Sequence, residues 1–172
     1  FHRINTQMRD GKRTMLVLDE AWRLLDDDLF QRQLKEWLKT IRKQNGFIVF
    51  VTQEVEDAAK SAIGPTIISA SSTQIFLPNF KADRDVYCGK FGLTAGEFEF
   101  IKSASAESRL FLVKHGRDSV IARLDLGGMP GIVKVLSGRA ETIASLDALR
   151  AERGDKPEEW LSDFMREELV DA

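Results

Sequence analysis

Asp19 and Glu20 stand together at the end of a short apolar run, Met15-Leu16-Val17-Leu18. Such a run reads as a buried strand, whose end holds two carboxylates rigidly at one edge of a sheet. There the two can divide the labour of phosphoryl transfer. Asp19 can hold a magnesium ion, usually through water, while Glu20 points elsewhere and orients or deprotonates an attacking water. The plainer reading is a strand that ends in two solvated acids. Thr52 and Gln53 close a second apolar run, Phe47-Ile48-Val49-Phe50-Val51. A neutral hydrogen-bonding group beside the carboxylates can contact a γ-phosphate and the attacking water. Arg42 and Lys43 end the helix between the two runs. Cations at that place compensate the helix dipole. They can equally stabilise charge on a phosphoryl group in transfer, as an arginine finger or a subunit-interface cation does.

The elements that must position these groups follow from the spacing. The continuous apolar run into Asp19 suits a strand buried on both faces, as in a parallel sheet. Asp26-Asp27-Asp28 suits a helix N-terminus, where carboxylates meet the positive end of the dipole. Phe30, Leu34, Trp37, Leu38 and Ile41 then recur at helical spacing opposite Arg32, Lys35 and Lys39, which predicts about four turns with one buried stripe. Asn45-Gly46 stops that helix. Residues 55–61 and the stretch after Gly64-Pro65 are helical, and Thr73-Gln74-Ile75-Phe76-Leu77 is a third strand. The alternation of strands and helices predicts a parallel sheet covered by helices. After residue 80 the character changes. A helix spans 83–91, Thr94 and Glu97 have capping-box spacing, and residues 110–113 and 119–122 form a hairpin around His115-Gly116-Arg117-Asp118. Residues 127–131 read as a loop, and two helices near 140–150 and 157–169 end the chain.

Composition removes several chemistries. The 172 residues suffice for one substantial core, and a net charge of −2 offers no overall basic field for nucleic acid. Cys88 is the single cysteine and there are two histidines, so neither a disulfide framework nor a thiolate zinc cluster can form. No apolar run is long enough to span a membrane. Gly11-Lys12-Arg13-Thr14 imitates the tail of a phosphate-binding loop, but Thr6 stands where Gly is needed, Arg13 follows the Lys, and a strand follows where a helix should. The start at Phe1-His2-Arg3, without an initiator Met or a signal-peptide pattern, reads as a point inside a longer polypeptide.

In this order, Leu16-Val17-Leu18-Asp19-Glu20-Ala21-Trp22, then Leu38 through Gly46, then Thr52-Gln53 with Asp57, and Thr73 through Asn79 resemble the large ATPase of bacterial type IV secretion and conjugal transfer, the CagE/TrbE/VirB group. Later stretches match as well: Tyr87 to Phe91, Gly92-Leu93-Thr94 through Glu97, and Leu124-Asp125-Leu126 to Leu136-Ser137-Gly138. The resemblance covers roughly residues 1–140. It implies an α/β fold of the HerA/FtsK branch, a RecA-like parallel sheet with flanking helices, followed by a β-hairpin and C-terminal helices. It divides the chain into the C-terminal part of the ATPase domain, 1–140, and a helical tail, 141–172. Asp19 then matches the magnesium-linked Walker B aspartate and Glu20 the catalytic glutamate. Thr52 lies on the nucleotide, Gln53 at the polar sensor position, and Arg42 is the candidate arginine finger. ATP and Mg²⁺ are the implied cofactors, bound between subunits of a hexamer or related oligomer. Other secretion components, with DNA or protein as cargo, are the implied partners at the cytoplasmic face of the inner membrane. The phosphate-binding loop of the family lies upstream of Phe1, so the chain alone is expected neither to bind nor to hydrolyse ATP. Two further readings stand beside this one: a non-catalytic docking module, whose terminal helices would present Trp160, Leu161, Phe164 and Met165, and a DNA translocase of the same superfamily.

Overall fold

The computed structural model describes residues 2–9, 11–20, 25 and 27–166. Ala21 and Trp22, Asp26 and the end of the last predicted helix at Leu169 lie outside the described residues. Two compact units divide the chain, Phe1–Ala122 and Arg123–Ala172.

In the first unit, β1 (Thr14–Asp19) and β2 (Gly46–Val51) pair in parallel, in register from Thr14 opposite Gly46 to Asp19 opposite Val51. Helix α2 (Asp28–Thr40) links them. The Asp27 carboxylate accepts the Phe30 amide at 2.7 Å as N-cap, and Asp28 sits in the first turn. A 3-10 turn, Ile41–Gln44, tightens the end of the helix, and Asn45 stops it with φ at +58°. Phe30, Leu34, Trp37 and Ile41 all fall on the buried side, at the spacing expected. They pack against Leu16 and Leu18 of β1 and Ile48 and Phe50 of β2.

Gly46 is fixed by this packing. A Cβ there would stand 2.8 Å from Ile41 Cγ1 and 3.0 Å from the Thr14 carbonyl oxygen. Gly46→Ala is therefore expected to lower stability by about 1–2 kcal/mol in chemical denaturation, the overpacking cost outweighing the stiffer unfolded chain.

Three features depart from the pattern read in the sequence. Helix α1 (His2–Arg9) occupies the polar first segment. Its Met8 is buried with Ile4 beside it, and Trp37 Nε1 donates to Asn5 Oδ1 at 2.6 Å. The β1–β2 pair is buried on one face rather than two: Met15, Val17 and Phe47 are 60%, 50% and 57% exposed. The run is apolar on both faces, but α1, α2 and α4 (Gly64–Ala70) cover one. The third strand, β3 (Thr73–Phe76), does not extend the parallel pair. It runs antiparallel to β4 (Leu110–His115), with Gln74 opposite Lys114, in a sheet completed by β5 (Asp118–Arg123). The fold is thus α/β, with a parallel pair flanked by helices and a separate antiparallel sheet that contains the expected hairpin.

A second core underlies that antiparallel sheet: Phe76, Tyr87, Leu93, Phe98, Ile101 and Leu112. Its helices are α3 (Val55–Lys60), a π-helical turn at Asp85–Lys90, and α5 (Ala95–Ser103). Thr94 and Glu97 form the capping box, the Thr94 amide donating to Glu97 at 2.7 Å. Both Glu97 oxygens also accept from Lys114 Nζ, each at 3.0 Å, in a largely buried pair. Burial pushes the Glu97 carboxyl up. The Thr94 amide, the Ser119 hydroxyl and Lys114 outweigh it and hold the carboxyl at about 2 rather than 4.5. Because the folded value lies below the unfolded one, this contribution is complete above pH 4.5 and lost as pH falls toward 2. Glu97→Gln is expected to flatten that part of the acid-unfolding curve, which circular dichroism can follow.

The second unit holds α6 (Pro130–Leu136), α7 (Ala140–Arg153) and α8 (Pro157–Arg166). Residues 130–131, read as loop, begin α6. That helix is inverted: Lys134 is buried over the Phe164 ring at 4.4 Å, while Ile132, Val135 and Leu136 face outward. Among the described residues no helix is long and apolar enough to cross a membrane.

Candidate functional site

The parallel register brings the ends of β1 and β2 to one rim. Asp19 lies opposite Val51, and the Glu20 amide donates to the Val51 carbonyl at 3.1 Å. Asp19 is exposed and Glu20 half-buried. Glu20 takes φ of +51°, in the left-handed region that non-glycine residues seldom occupy. This turn breaks the strand's alternation directly after Asp19. The two carboxylates are thereby held on consecutive residues with different backbone geometry, an arrangement suited to separate roles.

Directly after Val51, Thr52 closes a turn at the same rim. Its hydroxyl donates to the Glu54 carbonyl at 3.1 Å and accepts the Glu54 amide at 3.2 Å. Gln53, between them, is exposed and has no hydrogen bond to another described residue. Asp19, Glu20, Thr52 and Gln53 therefore share one edge.

Arg42 does not. It is exposed in the 3-10 turn ahead of β2, at the rim where the strands begin. Strands of six residues separate the two rims by about 16 Å at ~3.3 Å per residue. Within one chain its guanidinium cannot meet a group held at Asp19.

The residues present suit magnesium in part. No cluster of three or more His, Cys, Asp or Glu side chains able to hold a metal occurs among the described residues. An exposed strand-end carboxylate fits an ion that keeps most of its waters and takes its other oxygens from phosphate. A depression of about 380 Å³ between α5 and the hairpin, lined by Gly96, Glu97, Phe100, Ser119 and Ile121, lies away from this rim. Its acidic wall is already spent on Lys114 and Thr94.

Comparison with known proteins bears on this arrangement. The TraG P-loop domain family matches residues 4–109, a span that includes both strand ends. The chain belongs to the TraG P-loop domain family. Within curated proteins, this TraG P-loop chain is 46% identical over 165 residues to the type IV secretion system protein virB4 of Bartonella henselae, covering 95% of the chain and 21% of the relative. It is 39% identical over 167 residues to the type IV secretion system protein PtlC of Bordetella pertussis, covering 96% and 20%. The chain thus spans about a fifth of the length of the relatives it matches. A solved structure of VirB4 of Thermoanaerobacter pseudethanolicus shares the fold, with a TM-score of 0.62, at 23% identity, over 72% of this chain and 34% of that one. These findings bear out the resemblance to type IV secretion ATPases.

Sequence reasoning named the residues of the TraG P-loop rim but missed two aspects of it. The left-handed backbone at Glu20 leaves no trace in residue type. The separation of Arg42 from the carboxylates was available, since a helix returning between parallel strands must end at the opposite rim.

Proposed function

We propose that the chain is the metal-and-water half of the ATP site in a motor that energises type IV secretion or conjugal transfer. The observation that carries this reading is the shared rim of Asp19, Glu20, Thr52 and Gln53 in a TraG P-loop fold. When bound, Mg²⁺ and ATP supply the electrophilic γ-phosphoryl group and neutralise its charge. Asp19 would hold the magnesium ion, and Glu20 would orient and deprotonate the attacking water. Gln53 hydrogen-bonds the γ-phosphate side, and Thr52 lines the nucleotide. Arg42 acts on the site of another subunit, because its own rim faces away. The loop that grips the phosphates belongs to the remainder of the full-length protein, which works as a hexamer or related oligomer with other secretion components at the cytoplasmic face of the bacterial inner membrane.

A test compares the 172-residue chain with the full-length protein. Isothermal titration and phosphate release are expected to show Mg-ATP binding and turnover by the full-length protein and neither by the chain alone. Robust hydrolysis by the chain, or none by the full-length protein, contradicts the reading. The outward Ile132, Val135 and Leu136 of α6 favour a second role for the last unit, as a docking module within a secretion complex.

A further inference from the structure

The segment between β2 and α3 is anchored at both ends. Val51 lies opposite Asp19 in the parallel ladder, and its carbonyl accepts the Glu20 amide at 3.1 Å. Val55 packs against the second core. Between these anchors the half-buried Thr52 engages both backbone groups of Glu54. Its hydroxyl donates to the carbonyl at 3.1 Å and accepts the amide at 3.2 Å. A hydroxyl joined in this way to the residue two ahead closes a turn around the residue between them. That residue is Gln53, which is exposed.

This bonding makes Thr52 a poor partner for phosphate. A threonine hydroxyl has one proton to give and two lone pairs to offer. The proton goes to the Glu54 carbonyl, and one lone pair receives the Glu54 amide. What remains is an acceptor, which a phosphate oxygen, itself an acceptor, cannot use. Gln53 has the complementary inventory: its amide offers two N–H donors for phosphate and a carbonyl for a water proton. A long, uncommitted side chain is aimed by its backbone, and an error of about 1 Å in aim can cost ~10²-fold in rate. Branching at Cβ stiffens χ1 of Thr52, so the hydroxyl that braces the turn is itself held in place.

We infer that Thr52 is a positioning residue: through its turn on Glu54 it aims the Gln53 amide at the phosphate and the attacking water, and its hydroxyl makes no bond to phosphate. This role rests on the ATPase reading above.

Steady-state phosphate release by full-length Thr52→Val, Thr52→Ser, Gln53→Ala and Thr52→Val/Gln53→Ala proteins tests it. Thr52→Val should lower kcat about 10-fold with KM for Mg-ATP within about twofold, because aim is lost and affinity is not. Serine keeps the hydroxyl and should recover most of that loss. In protein that already carries Gln53→Ala, Thr52→Val should slow turnover no further, since nothing is left to aim. A merely structural role predicts a further loss there instead. Hydrogen exchange of the Glu54 amide, followed by NMR in the 172-residue chain, should quicken about 10-fold in Thr52→Val and stay slow in Thr52→Ser.

The inference is overturned by an unchanged kcat in Thr52→Val, by a rise in nucleotide or magnesium requirement alone, or by serine and valine variants of equal rate. Multiplied losses in the double variant, or a Glu54 amide indifferent to Thr52→Val, also overturn it. Hydrolysis that survives Thr52→Val removes this role and leaves the ATPase reading standing. Absence of hydrolysis by the unaltered full-length protein removes the ATPase reading and this role with it.

Discussion

Glu20→Gln in the full-length protein is expected to lower ATP turnover by about 10²–10⁴-fold while nucleotide affinity stays within about twofold. The substitution keeps the shape of the side chain and removes its basicity. It also leaves the backbone bond from residue 20 to the Val51 carbonyl intact, because that bond is made by the main-chain amide. The left-handed turn at Glu20 is likewise a main-chain feature that glutamine can keep. Loss of turnover with retained binding would thus isolate the proton-transfer role. Phosphate release measured beside fluorescent-nucleotide binding separates the two. Unchanged turnover would remove Glu20 from the role assigned to it.

The second large effect belongs to Arg42. Arg42→Ala in the full-length protein is expected to reduce turnover by about 10³–10⁵-fold, the range of a transition-state arginine. Because Arg42 lies at the rim opposite Asp19, the loss should be repaired between subunits. Mixing Arg42→Ala protein with Glu20→Gln protein places intact arginines beside intact glutamates at some interfaces. Steady-state phosphate release from the mixture should then exceed the sum of the two inactive preparations. A mixture no faster than that sum would show that Arg42 serves its own chain or none. Arg42→Lys should recover little, since an ammonium lacks the planar fork that matches phosphate oxygens.

Much of the fold was legible because local chemistry and tertiary structure agree. Asp27 caps α2 as its type and place require, and Asn45 ends the helix in the conformation asparagine tolerates. Thr94 and Glu97 close both bonds of the box that their spacing promises. The hairpin at Gly116 follows from two apolar runs around a polar turn. What escaped was set by long-range pairing or by an unusual inside and outside. Helix α1 is anchored by Ile4, Met8 and the Asn5–Trp37 bond, a signal too sparse within a polar segment to be read from residue types. Nothing in Thr73–Phe76 reveals that its partner is β4, because a short apolar run serves parallel and antiparallel ladders alike. Helix α6 hides its lysine and shows its aliphatic residues, so no amphipathic stripe marks it. The uncovered Met15, Val17 and Phe47 teach a related lesson: composition records the faces a strand is suited to bury, and the chain at hand covers one of them.

The candidate site was legible to the same degree. Residue type and order named Asp19, Glu20, Thr52 and Gln53, and the parallel register puts them on one edge. The position of Arg42 needed the direction of α2 as well as its sequence.

The rim at which nucleotide and metal bind is the central claim, and distance from the metal measures it. Full-length protein loaded with Mn²⁺ and a non-hydrolysable ATP analogue can carry a nitroxide at Gln53→Cys or, separately, at Asn45→Cys. Relaxation enhancement by Mn²⁺ is expected to be strong at position 53 and weak at position 45, about 16 Å further along the strands. Equal enhancement at both positions, or the stronger effect at position 45, would contradict the account.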